Sequence, residues 1–248
     1  MPDVKSRFSK AAKNYDEASE IQQLAAQDFL KNLTPLIKKN QKILDLGCGT
    51  SFLAKNLATK KNLKIFEIDL ALEMLQNWSQ RPENVFAIQG DFEKLPLKEN
   101  QFDLIISSFS LQWIKNFEAA FLNFSKLLEN GGTLAFCLPV QGSLQELKKA
   151  EIFSFNDLPE SRKIKNLLEK NGFKEKFFSA KTFKQEFQNG LAALKSIKKT
   201  GANISYGKQN FVTKKQLAEF NSFCLKNCDA KTKNFVLSWL VACFIFTK

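Results

Sequence analysis

The chain has 248 residues, 44% of them hydrophobic and 25% charged, which is enough for one large α/β domain with a sizeable core. It carries a net charge of +12 and no histidine, and this excludes a Ser-His-Asp or Cys-His centre and most zinc sites. No apolar run approaches the ~20 residues of a membrane span, and no signal-peptide core opens the chain. The five cysteines (Cys48, Cys137, Cys224, Cys228, Cys243) are an odd number, mostly in apolar or turn contexts. The expectation is a reduced, cytoplasmic protein without a membrane partner.

Residues 6–34 carry a helical pattern, with Phe8, Ala11, Ala12 and Tyr15 on one face and Pro35 near its end. A strand is expected at 42–46, a helix at 51–58, a strand at 63–68 and a helix at 71–78. Short apolar runs predict strands at 85–88 and 102–107. A helix over 117–129 would be ended by Asn130-Gly131-Gly132, read as a C-cap, before a strand at 133–138. Strands alternating with helices at this spacing predict a doubly wound sheet. The second half predicts helices at 143–150, 160–170, 184–199 and 214–226, and strands at 173–181 and 234–246. The last two strands would complete a seven-stranded sheet, with the intervening helices over its ligand edge. The expected organisation is one domain over 1–248: a helical cap at 1–38, a cofactor-binding core at 39–140, a lid and sixth strand at 141–233, and a final strand at 234–248.

The chemistry concentrates at strand ends. Residues Lys42 to Ser51 read K-I-L-D-L-G-C-G-T-S, a buried strand running into a Gly-x-Gly turn that lets the backbone approach a ligand. Twenty residues after Gly49, the second strand ends in Asp69, an acid able to accept hydrogen bonds from a ribose diol. The third glycine of the dinucleotide fingerprint would fall at Phe52 and is absent. A pyrophosphate cofactor is disfavoured, and S-adenosylmethionine is the leading candidate. Asp91-Phe92 follows the third strand and suits an adenine, offering a carboxylate for the amine and an apolar face for the ring. Ser107 to Trp113 follows the fourth. Cys224 and Cys228, in C-L-K-N-C, lack a second ligand pair and read as a helix face rather than a metal site. Of the 37 basic residues only Arg7, Arg81 and Arg162 are arginines, which argues against base recognition in nucleic acid. A lysine surface suits an acidic protein partner or serves solubility alone.

D-L-G-C-G-T, E-I-D, G-D-F-E-K-L-P, Q-F-D-L-I-I-S and L-L-E-N-G-G-T-L, in that order, resemble the motifs of class I S-adenosylmethionine-dependent methyltransferases. The flanks F-S-K-A-A-K-N-Y-D, S-L-Q-W-I, G-S-L-Q-E-L and L-K-S-I-K-K-T-G-A-N resemble the malonyl-acyl-carrier-protein O-methyltransferases of biotin synthesis (BioC type). Two departures stand out: Ser51 replaces the usual third glycine of the first motif, and I-F-S-F-N-D-L lacks an arginine often found there. The resemblance implies a Rossmann-like seven-stranded sheet with its last strand antiparallel. It also implies S-adenosylmethionine as cofactor and malonyl-phosphopantetheine on an acyl carrier protein, or malonyl-coenzyme A, as acceptor.

The implied roles follow. Gly47, Cys48 and Gly49 meet the methionine end of the cofactor, and Asp45 orients its ammonium. Asp69 binds the ribose, Asp91 and Phe92 the adenine, and Leu70 and Ser107 add contacts to the cofactor. Tyr15 closes the site, Gln112 and Trp113 line the acceptor pocket, and Lys198 pairs with the malonyl carboxylate. A methyltransferase for a small acid or quinone precursor, and one for RNA, are the alternative functions. Nothing in the sequence selects an oligomeric state.

Overall fold

The computed structural model describes every residue except 1–3, 61, 151–153, 156–157, 201–203, 206–212 and 230. The amino-terminal segment folds as α1 (Val4–Ala11), a 3-10 turn (Ala12–Asn14), α2 (Tyr15–Ala18) and α3 (Glu20–Leu33). The first half of the sheet then alternates as β1 (Lys42–Leu46), α4 (Phe52–Leu57), β2 (Lys64–Asp69), α5 (Leu72–Gln76), β3 (Val85–Gln89) and β4 (Phe102–Ser108). Next come α6 (Phe117–Leu127), β5 (Leu128–Pro139), α7 (Gln145–Lys148), β6 (Ser154–Phe155), α8 (Ser161–Lys170) and β7 (Lys174–Phe187). The chain closes with α9 (Gly190–Lys199), β8 (Ile204–Ser205), α10 (Lys214–Lys226) and β9 (Phe235–Thr247).

Seven strands form one sheet in the order β3-β2-β1-β4-β5-β9-β7. β1 to β5 pair in parallel, and β9 inserts antiparallel between β5 and β7. The strand order reverses between β1 and β4, so a crevice opens beyond their carboxyl ends, where ligands of such sheets bind. β6 and β8 form a separate two-stranded ribbon.

Two apolar layers sandwich the sheet. Ile43, Ile65, Leu104 and Ile106 pack with α3 and α4 on one face, and Leu44, Leu46, Ile105 and Phe136 pack with α6 and α8 on the other. Strands covered on both faces read as continuous apolar runs, and K-I-L-D-L is such a run with an acid set inside it. The expected doubly wound sheet with an antiparallel last strand is the observed fold.

Local assignments differ from expectation at three places. The amino-terminal helix is broken at Ser19 (φ −99°, ψ 34°). Gln23 Nε2 donates to the Asp16 carbonyl at 2.6 Å and so satisfies the acceptor exposed by the break. Residues 184–187 belong to β7, not to a helix. Phe183 and Phe187 are four apart, which fits either period, but pairing opposite Trp239 and Phe235 of β9 makes them strand residues. Asn189 then caps α9, its side chain accepting from the Ala192 N–H at 2.9 Å. Asn130-Gly131-Gly132 is not a helix cap. α6 ends at Leu128 in an extended conformation, and the following residues form an irregularity in β5, where the register opposite β4 shifts between Phe102 and Leu104.

Candidate active site

A cavity of about 860 Å³ lies beyond the carboxyl ends of β1, β2, β3 and β4, with α1 and α2 as its cover. It gathers Tyr15, Asp45, Gly47, Cys48, Gly49, Asp69, Leu70, Asp91, Phe92, Gln112 and Trp113 from segments far apart in sequence.

The β1 turn shapes the floor. Gly47 and Gly49 have φ of 64° and 55°, in the left-handed region that favours glycine. A Cβ at Gly47 would run into the Ser110 side chain, whereas one at Gly49 would meet nothing within 4 Å. Gly47 is therefore needed for close packing, and Gly49 leaves its backbone open toward the cavity. Ser51 also takes a left-handed conformation (φ 68°) and is fully buried. Arg81 makes this tolerable. Its Nη2 donates to Ser51 Oγ at 3.2 Å and to the Leu75 carbonyl at 2.7 Å, and its Nε pairs with the buried Glu67 at 2.9 Å. One guanidinium thus ties the turn, β2 and the end of α5 together.

Asp45 is 1% exposed, and neither of its carboxylate oxygens has a hydrogen-bond partner among the described residues. Burial, then the charges of Glu67 and Asp69, pushes its carboxyl well above the usual value. A buried acid with open lone pairs beside an accessible glycine turn is matched to a cationic ligand group. Asp69 accepts from the Gly49 N–H at 2.9 Å and the Ala71 N–H at 2.8 Å, which locks the turn to β2. Burial raises its carboxyl, while those two amides pull it back down. Each of its oxygens keeps a lone pair for a hydroxyl donor. Asp91 accepts from the Glu93 N–H at 3.0 Å, and Phe92 reaches within 3.4 Å of the Cβ position of Gly47. These residues fit S-adenosylmethionine, with an acid for the ammonium, one for the ribose, and an acid-aromatic pair for the adenine.

The cover carries the other end of the site. Phe8 meets Trp113 edge-on at 5.9 Å and Tyr15 at 6.4 Å. Burial, with the charges of Asp69 and Asp16, pushes the Tyr15 phenol above its usual value, so it stays a neutral hydroxyl. The Cys48 thiol is likewise pushed well up, chiefly by burial, and is no nucleophile. Gln112 Nε2 donates to the Phe109 carbonyl at 2.7 Å, and its Oε1 is buried without a partner among the described residues.

Two expected site residues stand elsewhere. Ser107 does not line the cavity. It is buried beneath the floor, donating to the Leu46 carbonyl at 2.8 Å, and its neighbours Ser108 and Ser110 line the cavity instead. In β4 successive side chains alternate faces, so a one-residue offset decides which serine points out. Lys198 is exposed in the last turn of α9 and lies outside the cavity lining. The apolar stripe Ala193, Leu194 and Ile197 buries the opposite side of that helix. Residues 201–203 of the late motif, and most of I-F-S-F-N-D-L, lie outside the described residues.

Sequence reasoning gave no role at the site to Arg7, Asp16, Thr50, Glu67, Arg81 or Ser110. The signal available for two of them was the rarity of arginine: two of the three stand here.

Residues 44–136 match the family model described as "Methyltransferase domain". The malonyl-[acyl-carrier protein] O-methyltransferase of Buchnera aphidicola is 31% identical over 223 residues, covering 87% of each chain. Malonyl-[acyl-carrier protein] O-methyltransferase 2 of Coxiella burnetii is 31% identical over 211 residues, covering 84% of each. Among solved structures, a Bacillus halodurans protein described as a methyltransferase superposes with TM-score 0.65 at 15% identity, over 88% of this chain and 98% of that one. Phosphoethanolamine N-methyltransferase 2 of Haemonchus contortus, in complex with S-adenosyl-L-methionine, gives 0.64 at 18%, over 100% and 60%. At these identities the structures speak for the fold alone. With the relatives matched over most of their length, the chain belongs to the malonyl-[acyl-carrier protein] O-methyltransferase family.

Proposed function

We propose that the protein methylates the free carboxylate of a malonyl group, carried as a thioester on acyl carrier protein or coenzyme A, with S-adenosylmethionine as cofactor. The product is a methyl ester, and the reaction is an early step of biotin synthesis in the cytoplasm. The observation that carries the reading is Asp45, a buried acid without a hydrogen-bond partner among the described residues, lining the same cavity as Gly49. It suits a cofactor that brings a positive charge.

S-adenosylmethionine supplies the methyl group on a positively charged sulfur. Asp45, Asp69 and the Asp91-Phe92 pair would hold it, and Gly47 and Gly49 let the turn backbone come close. The acceptor carboxylate has an ordinary pKa of about 4, so it arrives ionised and needs no base. The lack of histidine therefore costs the reaction nothing. What the chain must supply is orientation, which can contribute roughly 7–11 kcal/mol, and exclusion of water. Phe8, Tyr15 and Trp113 provide an apolar cover for both purposes. The carrier protein stays outside, with only its phosphopantetheine arm entering.

The test is to supply labelled S-adenosylmethionine with malonyl-carrier protein, malonyl-coenzyme A, free dicarboxylates and RNA in parallel. Base-labile methyl label on the malonyl thioesters is expected. Label confined to the free acids or to RNA overturns the reading.

A further inference from the structure

Acids line the cavity from the ends of β1, β2 and β3 (Asp45, Asp69, Asp91, Glu93) and from α2 (Asp16), while its cations come from α1 and the β4 loop: Lys5, Arg7 and Lys115. Lys5 and Lys115 are exposed, where water screens them. Arg7 is not. Its Nε and Nη1 are shielded from solvent, and its guanidinium lies over the Trp113 ring at 5.5 Å from the centroid. Trp113 brings a second donor. Its indole Nε1 is also buried and has no hydrogen-bond partner among the described residues. A chain that uses lysine almost everywhere places one of its three arginines at this spot. Arginine differs from lysine in being always charged, weakly hydrated, able to stack on an aromatic face and shaped to grip a carboxylate.

We propose that Arg7 and Trp113 form the carboxylate clamp of the acceptor site, the role that the sequence assigned to Lys198. This assignment rests on the malonyl reading above. Arg7 takes one carboxylate oxygen and the Trp113 N–H a lone pair of the other, leaving that oxygen's second lone pair to attack. The attacking pair forms the new C–O bond as the C–S bond of the cofactor breaks, and the departing electron pair returns to sulfur. A carboxylate anion and a sulfonium cation become a neutral ester and a neutral thioether. The clamp therefore holds substrate by charge and loses that hold on product, so the ester is free to leave. The same charge selectivity disfavours neutral acyl thioesters as ligands.

The test compares wild type with Arg7→Gln, Arg7→Lys and Trp113→Phe on malonyl-coenzyme A, with affinity for S-adenosylmethionine and melting temperature measured alongside. Arg7→Gln is expected to raise KM about tenfold or more, with cofactor affinity and melting temperature near wild type. Arg7→Lys keeps the charge but loses the planar fork, and should fall between the two. Trp113→Phe keeps the ring and deletes the donor, and should raise KM severalfold. Inhibition by the methyl-ester product, which has no charge to hold, should be unchanged in Arg7→Gln. Wild-type KM in both Arg7 variants overturns the clamp while leaving the functional reading intact. An equal loss of affinity for the ester and for malonyl-coenzyme A also overturns it, because that marks damage to the pocket rather than loss of a carboxylate partner. If Arg7→Gln fails to fold, Arg7→Lys with wild-type KM and Trp113→Phe with wild-type KM together overturn it. Wild type without turnover on malonyl thioesters overturns the functional reading and the clamp with it.

Discussion

At the scale of single residues, the site stores unfavourable electrostatics where a cation is to bind. Asp45, Glu67 and Asp69 lie together, and among the described residues Arg81 is the cation in hydrogen-bond contact with this group, through Glu67. Because burial raises the Asp45 carboxyl above its unfolded value, the folded state binds a proton that the unfolded chain has released. The stability from this group is complete below the ordinary carboxylate range and is lost as pH rises through the folded value. Asp45→Asn should therefore raise the melting temperature of the cofactor-free protein at neutral pH and flatten its decline from acid to neutral conditions. Burying an unpaired charged group costs more than about 1–3 kcal/mol, so the effect should be readily measured. The same variant should weaken S-adenosylmethionine at least tenfold, about 1.4 kcal/mol. Parallel melting curves against pH for the two proteins, or unchanged calorimetric affinity, would count against Asp45 as the cation's partner. Gly190 shows another residue-scale constraint, away from the site: a Cβ there would lie 2.5 Å from Cys224 Sγ and 2.7 Å from the Phe220 ring. The Cys224 thiol is pushed up to about 12 by burial in this packing, so it serves as a small apolar side chain.

At the scale of elements, the cover is held by a few polar contacts as well as by packing. Asn77 Nδ2, just past α5, donates to the Ala12 carbonyl at 2.9 Å. Thr50 Oγ1, in the glycine turn, donates to Asp16 Oδ1 at 2.5 Å. The small apolar group of Ala12, Ala71 and Met74, with Phe8 and Tyr15 against it, adds packing between the cover and α5. Such a segment sits at the low-stability end of the molecule and can open without global unfolding. Combining Asn77→Ala with Thr50→Val removes both contacts to the cover, worth about 0.5–1.5 kcal/mol for the bond to the Ala12 carbonyl and about 1.5–3 kcal/mol for the bond to the Asp16 carboxylate. Amide exchange across Val4–Ala18 should speed up by roughly tenfold or more, while exchange in β1, β4 and β5 stays as it is. Uniform acceleration throughout the sheet would show that the cover does not open as a separate unit. The break at Ser19 is what lets α1 and α2 turn over the cavity while α3 continues along the sheet. A straight helix over 6–34 would set Phe8 and Ile21, thirteen positions apart, about 140° from each other, so one straight helix could not bury both on one face.

At the scale of the whole molecule, the +12 charge bears on how the acceptor arrives. If the acyl group is delivered by an acidic carrier protein, attraction over the surface aids encounter and is screened beyond about 8–10 Å at physiological salt. Turnover of malonyl-carrier protein should fall with added salt more steeply than that of malonyl-coenzyme A. Salt profiles of equal slope would remove the lysine surface from docking. The sequence by itself determined the alternating strands and helices of the first half, the Gly-x-Gly turn and the acids at Asp45, Asp69 and Asp91. These depend on local chemistry: a buried strand needs an apolar run, and a tight turn needs glycine. Only the tertiary structure decided that residues 184–187 are strand, since Phe183 and Phe187 fit either period until β9 lies beside them. It decided as well that Ser110 and not Ser107 faces the cavity, and that Arg81 steadies the left-handed Ser51. Finally it placed Lys198 on an exposed helix face and Arg7 against Trp113. Which cation reaches a cavity depends on how a cover formed from the first turns of the chain seats on a sheet built from the rest, and no local pattern encodes that distance.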